Sequence, residues 1–185
     1  MIKLDICISY NQDKKKLADE YNKYLDQAQD WVCLLDHDAM FLHPKWHFIL
    51  LRAIEVLGKD MGFGTCITNN IGHKFQMAPN CPPGDDIEKH KKYAIQNEID
   101  NRRNYRNCIE ANPLSGVIML THKEAWKKAG GFRDVNYGIL GIDNNYFKRI
   151  RAAGYTPYVL NDTYVYHGYK RDWKKKGFGA WLQGT

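Results

Sequence analysis

Short apolar runs alternate along this chain with apolar stripes of helical period, the pattern of strands joined by helices. Residues 2–9 carry Ile2, Leu4, Ile6, Cys7 and Ile8 and predict a first strand. Leu17, Tyr21, Tyr24, Leu25 and Ala28 then share one face of a helix that Asp13 can cap. The uncharged run Trp31–Leu35 predicts a second strand buried on both faces. Strand, helix and strand at this spacing make a parallel βαβ unit, with 10–11 and 36–38 at neighbouring or near-neighbouring strand ends. Pro44 suits the first turn of a helix bearing Trp46, Ile49, Leu50, Ala53, Ile54 and Leu57, and Gly58 closes it. Met61–Thr68 predicts a third strand.

From 69 to 112 the character changes. Pro79, Pro82, Pro83 and Gly84 mark a loop, and the polar stretch after them has weak helical periodicity. The segment at about 78–112 therefore reads as a mobile insertion, a lid or acceptor-side element, or else as a solvent-facing helix. Regular pattern returns with a strand at 115–120 and a capping box at 121–124 that opens a short helix. Gly130 and Gly131 stop that helix. Asp143 can cap another carrying Phe147 and Ile150, and strands at 156–160 and 163–166 precede His167. With no repeat or linker, 1–185 reads as one α/β domain, a mostly parallel sheet flanked by helices.

Charge changes the picture only partly. Twenty-seven Lys and Arg against 21 Asp and Glu give +6, which suits an anionic partner. The excess is spread along the chain, although 168–185 interleaves Lys170, Arg171 and Lys174 with Tyr169, Trp173, Phe178 and Trp181. This basic, aromatic tail reads as flexible and as a candidate for peripheral membrane contact. The 5 cysteines form no C-x-x-C, which points to reduced thiols rather than structural zinc. Lys3 and Asp5 interrupt any leader-like run, and Arg52 and Glu55 break the longest apolar stretch. The expectation is a soluble, cytoplasmic protein without a membrane span.

The candidate chemistry begins at Asp36-His37-Asp38. Ligands of open α/β sheets collect beyond the carboxyl ends of strands. Two carboxylates one residue apart at such an end repel each other unless a cation lies between them, and oxygen ligands suit Mn²⁺ or Mg²⁺.

Four features follow in fixed order: Ser9-Tyr10-Asn11, Asp36-His37-Asp38, the run from Gly130-Gly131-Phe132 to Gly141-Ile142-Asp143, and His167. In this order, and in the stretch from Ser115-Gly116 to Asp143, the chain resembles GT-A-fold glycosyltransferases, especially glycosyltransferase family 2. The resemblance implies a GT-A-like, Rossmann-like sheet, reduced in its N-terminal nucleotide-binding half because one βα unit lacks a counterpart. It implies Asp36, Asp38 and His167 as holders of Mn²⁺ or Mg²⁺ on the donor's diphosphate. Ser9, Tyr10, Asn11, Asp36 and Gly116 fall on the donor side, joined from the tail by Lys170 and Trp173. Gly141, Ile142 and Trp46 fall on the acceptor side.

The implied catalytic base is Asp143, with Ile142 where a glutamate is expected and Asn145 where a second acid is common. A carboxylate at a helix start is expected to be held acidic by the helix dipole, making a weak base. The implied reaction moves a sugar, from a UDP-sugar by preference, to a hydroxyl of a glycan, lipid or protein, with inversion. Two other readings stand beside it: a nucleic-acid-binding module using 89–106 and the tail, and an inactive, donor-binding member of the same fold.

Overall fold

Trp31–Leu35 forms strand β2, and all five residues are buried. Their alternation supplies both sides of the core. Val32 and Leu34 join a layer with Tyr21, Leu25, Ala94, Ala125, Phe147 and Ile150. Trp31, Cys33 and Leu35 join a second layer with Leu50, Ala53 and Ile54. Each such aliphatic or aromatic side chain contributes about 1.5–3 kcal/mol by leaving water. The computed structural model describes residues 2–8, 17–135 and 141–168.

Strand β1 is Leu4–Ile8 and helix α1 is Leu17–Gln27, which buries Ala18, Tyr21 and Leu25. β1 and β2 pair in parallel with Ile8 opposite Leu35, so both strands end side by side. A short strand, β3 (Ala39–Phe41), follows at once. Helix α2 is Trp46–Leu57, ended by Gly58 at φ 60, and β4 is Met61–Thr68 with all eight residues buried. The remaining elements are α3 (Ile87–Asp100), β5 (Tyr105–Asn107), β6 (Ile118–His122), α4 (Lys123–Lys128), α5 (Ile142–Ala152) and β7 (Thr156–His167).

The seven strands run in the order β1-β2-β6-β4-β7-β3, with β5 also on β7. Among the strands of the described residues, β1/β2 and β4/β7 pair in parallel; β6 lies antiparallel between β2 and β4, and β3 and β5 lie antiparallel on β7. The sheet is therefore mixed, which corrects the mostly parallel expectation. β6 is buried at all five positions and fits the sheet centre in either direction, so its apolar run carries no sign of its polarity.

The segment at 78–112 is built into the body. Asp86 caps α3 by accepting from the Lys89 N–H, and α3 buries His90, Ala94, Asn97 and Glu98. β7 is one strand where two were expected. Leu160 sits opposite Cys66 but Tyr164 opposite Ile67, so Asn161, Asp162 and Thr163 bulge out of register. Arg52 and the Arg103 N–H both donate to Asp162 Oδ2, at 2.8 and 3.1 Å, and Asn97 donates to the Asn161 carbonyl at 2.8 Å. These polar residues resemble a turn in sequence because their partners lie far along the chain.

Two helix starts also differ from expectation. His122, not Thr121, caps α4 by accepting from the Ala125 N–H at 3.2 Å. Thr121 is buried in β6, where its hydroxyl donates to the Gly62 carbonyl at 2.7 Å. Gly141 at φ 84 precedes α5, which places Asp143 inside the first turn rather than at the cap.

Candidate active site

β2 delivers Asp36 to the rim of the sheet, and the Asp36 N–H is held by the Val117 carbonyl at 3.0 Å. The Ala39 N–H donates back to the Asp36 carbonyl at 3.0 Å, so the chain reverses tightly and enters β3. β3 pairs with the end of β7, Ala39 opposite His167. One reversal thus carries both aspartates to the last residue of a strand more than a hundred positions away. Ligand atoms of Asp36, Asp38 and His167 all lie within 4.8 Å of one another.

His167 is 9% exposed and the Asp38 side chain 27%, so the cluster is sheltered yet reachable. His167 Nδ1 lies 2.8 Å from the Asn70 carbonyl. A carbonyl only accepts, so Nδ1 carries the proton. In the neutral ring the Nε2 lone pair then faces Asp38 Oδ1 at 3.4 Å. Two acceptors so placed suit a cation held between them. Two carboxylates with an imidazole form a donor set that fits Mn²⁺, and Mg²⁺ through its oxygens.

Asp143 occupies a second position. Its Oδ2 accepts from the Gly116 N–H at 2.9 Å and its Oδ1 from the Asn144 N–H at 2.8 Å. A Cβ on residue 116 would stand 2.9 Å from the Asp143 Cβ, so only glycine permits this approach. Burial pushes the Asp143 carboxyl above its ordinary value, against the pull of those two donors. That reverses the expectation of a more acidic group, because desolvation outweighs the helix start. Gly116 holds Asp143 and Val117 holds Asp36, so adjacent residues support both groups. The Tyr21 phenol feels both as well: burial first, then the charges of Asp36 and Asp143, raise its pKa.

The sequence-predicted residues therefore divide. Asp36, Asp38 and His167 converge, and Asp143 meets Gly116. Ser9, Tyr10, Asn11, Lys170 and Trp173 lie outside the described residues. Ile142, expected on the acceptor side, is a core residue at 2% exposed, since the first position of α5 turns it inward. Gly141 supplies the left-handed step into α5, and Trp46 stacks on Phe41 with centroids 4.6 Å apart. Sequence reasoning missed Asn69 and Asn70, which touch His167, and took Tyr21 for core alone. Two asparagines directly after the buried strand 61–68 were the available signal, the same arrangement as Asp36 and Asp38 after β2.

Among the described residues no helix is long and apolar enough to cross a membrane. No protein-family model matches the chain, and no curated protein matches it either.

Proposed function

We propose that this chain is a metal-dependent glycosyltransferase of GT-A type, moving a sugar from a nucleotide-diphosphate donor, UDP-sugar by preference, to an acceptor hydroxyl. The observation that carries the reading is the convergence of Asp36, Asp38 and His167 at the sheet rim. A divalent ion held by these residues would neutralise charge developing on the diphosphate leaving group. Asp143 takes the acceptor's proton as its oxygen attacks the anomeric carbon on the face opposite the leaving group, giving inversion. Its raised pKa makes it a stronger proton acceptor than an ordinary carboxylate. The Gly116 and Asn144 N–H groups hold the carboxylate in one orientation during this step.

Titrating UDP into the protein by calorimetry, with and without Mn²⁺, tests the donor half. Binding is expected only with the metal, and Asp38→Ala is expected to weaken it at least about 100-fold, the effect of losing a charged ligand worth more than about 2.7 kcal/mol. Metal-independent binding, or binding unchanged in Asp38→Ala, sinks the proposal and leaves Asp38 and His167 as a simple ion pair.

Gly116→Ala separates binding from chemistry. The new methyl group would stand 2.9 Å from the Asp143 Cβ and 3.0 Å from the Met119 Sδ, so Asp143 must shift. Turnover is expected to fall by about 100-fold, the effect of roughly 1 Å of misplacement. Because Gly116 falls on the donor side by resemblance, UDP–Mn²⁺ affinity is measured in the same preparation, and a turnover loss well beyond any loss of affinity assigns the effect to Asp143.

A further inference from the structure

We propose that Asn69 is a positioning residue for His167, its side-chain amide standing in for a neighbouring strand. The inference rests on the reading of Asp36, Asp38 and His167 as a metal site and names what aims the imidazole into it. β4 and β7 pair in parallel as far as Thr68 opposite Val165. That pair is the last of the ladder, and no main-chain pair of β4 continues it opposite His167 among the described residues. On the other side β3 cannot serve His167 either. The Gly168 N–H donates to the Asp38 carbonyl at 2.8 Å, which makes the adjacent Ala39/His167 pair a non-hydrogen-bonded one. The His167 N–H and carbonyl therefore point away from β3, toward a strand that has gone.

Asn69 fills that place. Its Oδ1 accepts from the His167 N–H at 2.8 Å and its Nδ2 donates to the His167 carbonyl at 3.2 Å. The Thr68 hydroxyl donates to the same Oδ1 at 3.2 Å and fixes which end of the amide is which. The next residue, Asn70, accepts from the ring Nδ1 at 2.8 Å. Two consecutive residues thus hold the backbone and one ring nitrogen of His167, and the other ring nitrogen is turned to Asp38. Only an amide supplies one donor and one acceptor at this spacing; a carboxylate would set oxygen against the His167 carbonyl.

The test uses Mn²⁺ alone, with the full chain, followed by electron paramagnetic resonance. Wild type is expected to bind the ion with a nitrogen coupling from His167, and Asp38→Ala to abolish binding. Asn69→Ala is expected to weaken binding by about 10–100-fold, the usual effect of losing an outer-shell partner, and to lose the nitrogen coupling. Asn69→Asp keeps the shape and adds a negative charge, which by itself would tighten cation binding; loss of the nitrogen coupling there supports positioning even if Asn69→Ala does not fold. Nitrogen coupling retained in the Asn69 variants, with affinity within about two-fold of wild type, well short of the usual outer-shell effect, overturns the role of Asn69 and leaves the metal site standing. No Mn²⁺ binding by wild type, or binding unchanged in Asp38→Ala, overturns the metal site and this inference with it.

Discussion

Arg52→Ala is expected to lower folding stability by about 3–5 kcal/mol, the usual effect of stranding a buried charge. Arg52 donates to Glu98 Oε1 and Asp162 Oδ2, each at 2.8 Å. The Asp162 side chain is 0% exposed and that of Glu98 7%. Glu98 keeps Arg102 at 2.9 Å after the change, but Asp162 is left facing neutral donors such as the Arg103 N–H and the Thr163 hydroxyl. The loss is a large fraction of a typical total of about 5–15 kcal/mol and should appear as a lower urea midpoint. Adding Asp162→Asn to Arg52→Met is expected to recover much of it, since the stranded charge is what destabilises.

The same cluster sets an acid limit. Burial raises the Glu98 pKa, but hydrogen bonds from Arg102 and Arg52 outweigh it and leave the carboxyl below its ordinary value of 4.5. A folded-state pKa below the unfolded one contributes stability above the unfolded value. That contribution is lost as pH falls through the depressed one. Urea midpoints measured from pH 7 down to 3 should therefore drop below about pH 4.5, and Arg52→Ala should blunt the drop.

The second large effect is catalytic. Asp143→Asn is expected to lower the transfer rate by about 10²–10⁴-fold, the range for losing a general base, with UDP–Mn²⁺ affinity retained. The acid limb of the kcat/KM profile should report Asp143 and lie above the ordinary aspartate value, the direction in which burial moves it. Stability should move the other way. A raised folded-state pKa gives a contribution present below the unfolded value and lost as pH rises through the folded one. The ionised carboxylate is thus a liability at neutral pH; asparagine removes that charge but sets its Nδ2 against the Gly116 or the Asn144 N–H, which offsets the gain. A variant within ten-fold of wild-type turnover would show that Asp143 is not the proton acceptor.

The sequence was legible where one residue type settles the matter locally. Trp31–Leu35, Met61–Thr68 and the stripe of α1 follow from burial and period alone, and the aspartates stand out because a buried strand runs into them. What stayed hidden depends on distant partners. β3 and β5 have three residues each, too few for a pattern, and exist because β7 offers both its outer halves. Asn161 and Asp162 suggest a turn until Arg52 and Asn97 are seen beside them. Asn69 and Asn70 likewise gain meaning only once His167 is brought to them.

The three extra residues of β7 decide more than local shape. Alternate side chains of a strand point to opposite faces, so an odd insertion reverses which of them look out on either side for the remainder of its length. Residues from Tyr164 onward are thereby half a period out of step with those before Leu160, and the imidazole at the end inherits that inversion. The parity of a small detour, fastened by a guanidinium in another helix, accompanies the face on which His167 looks out.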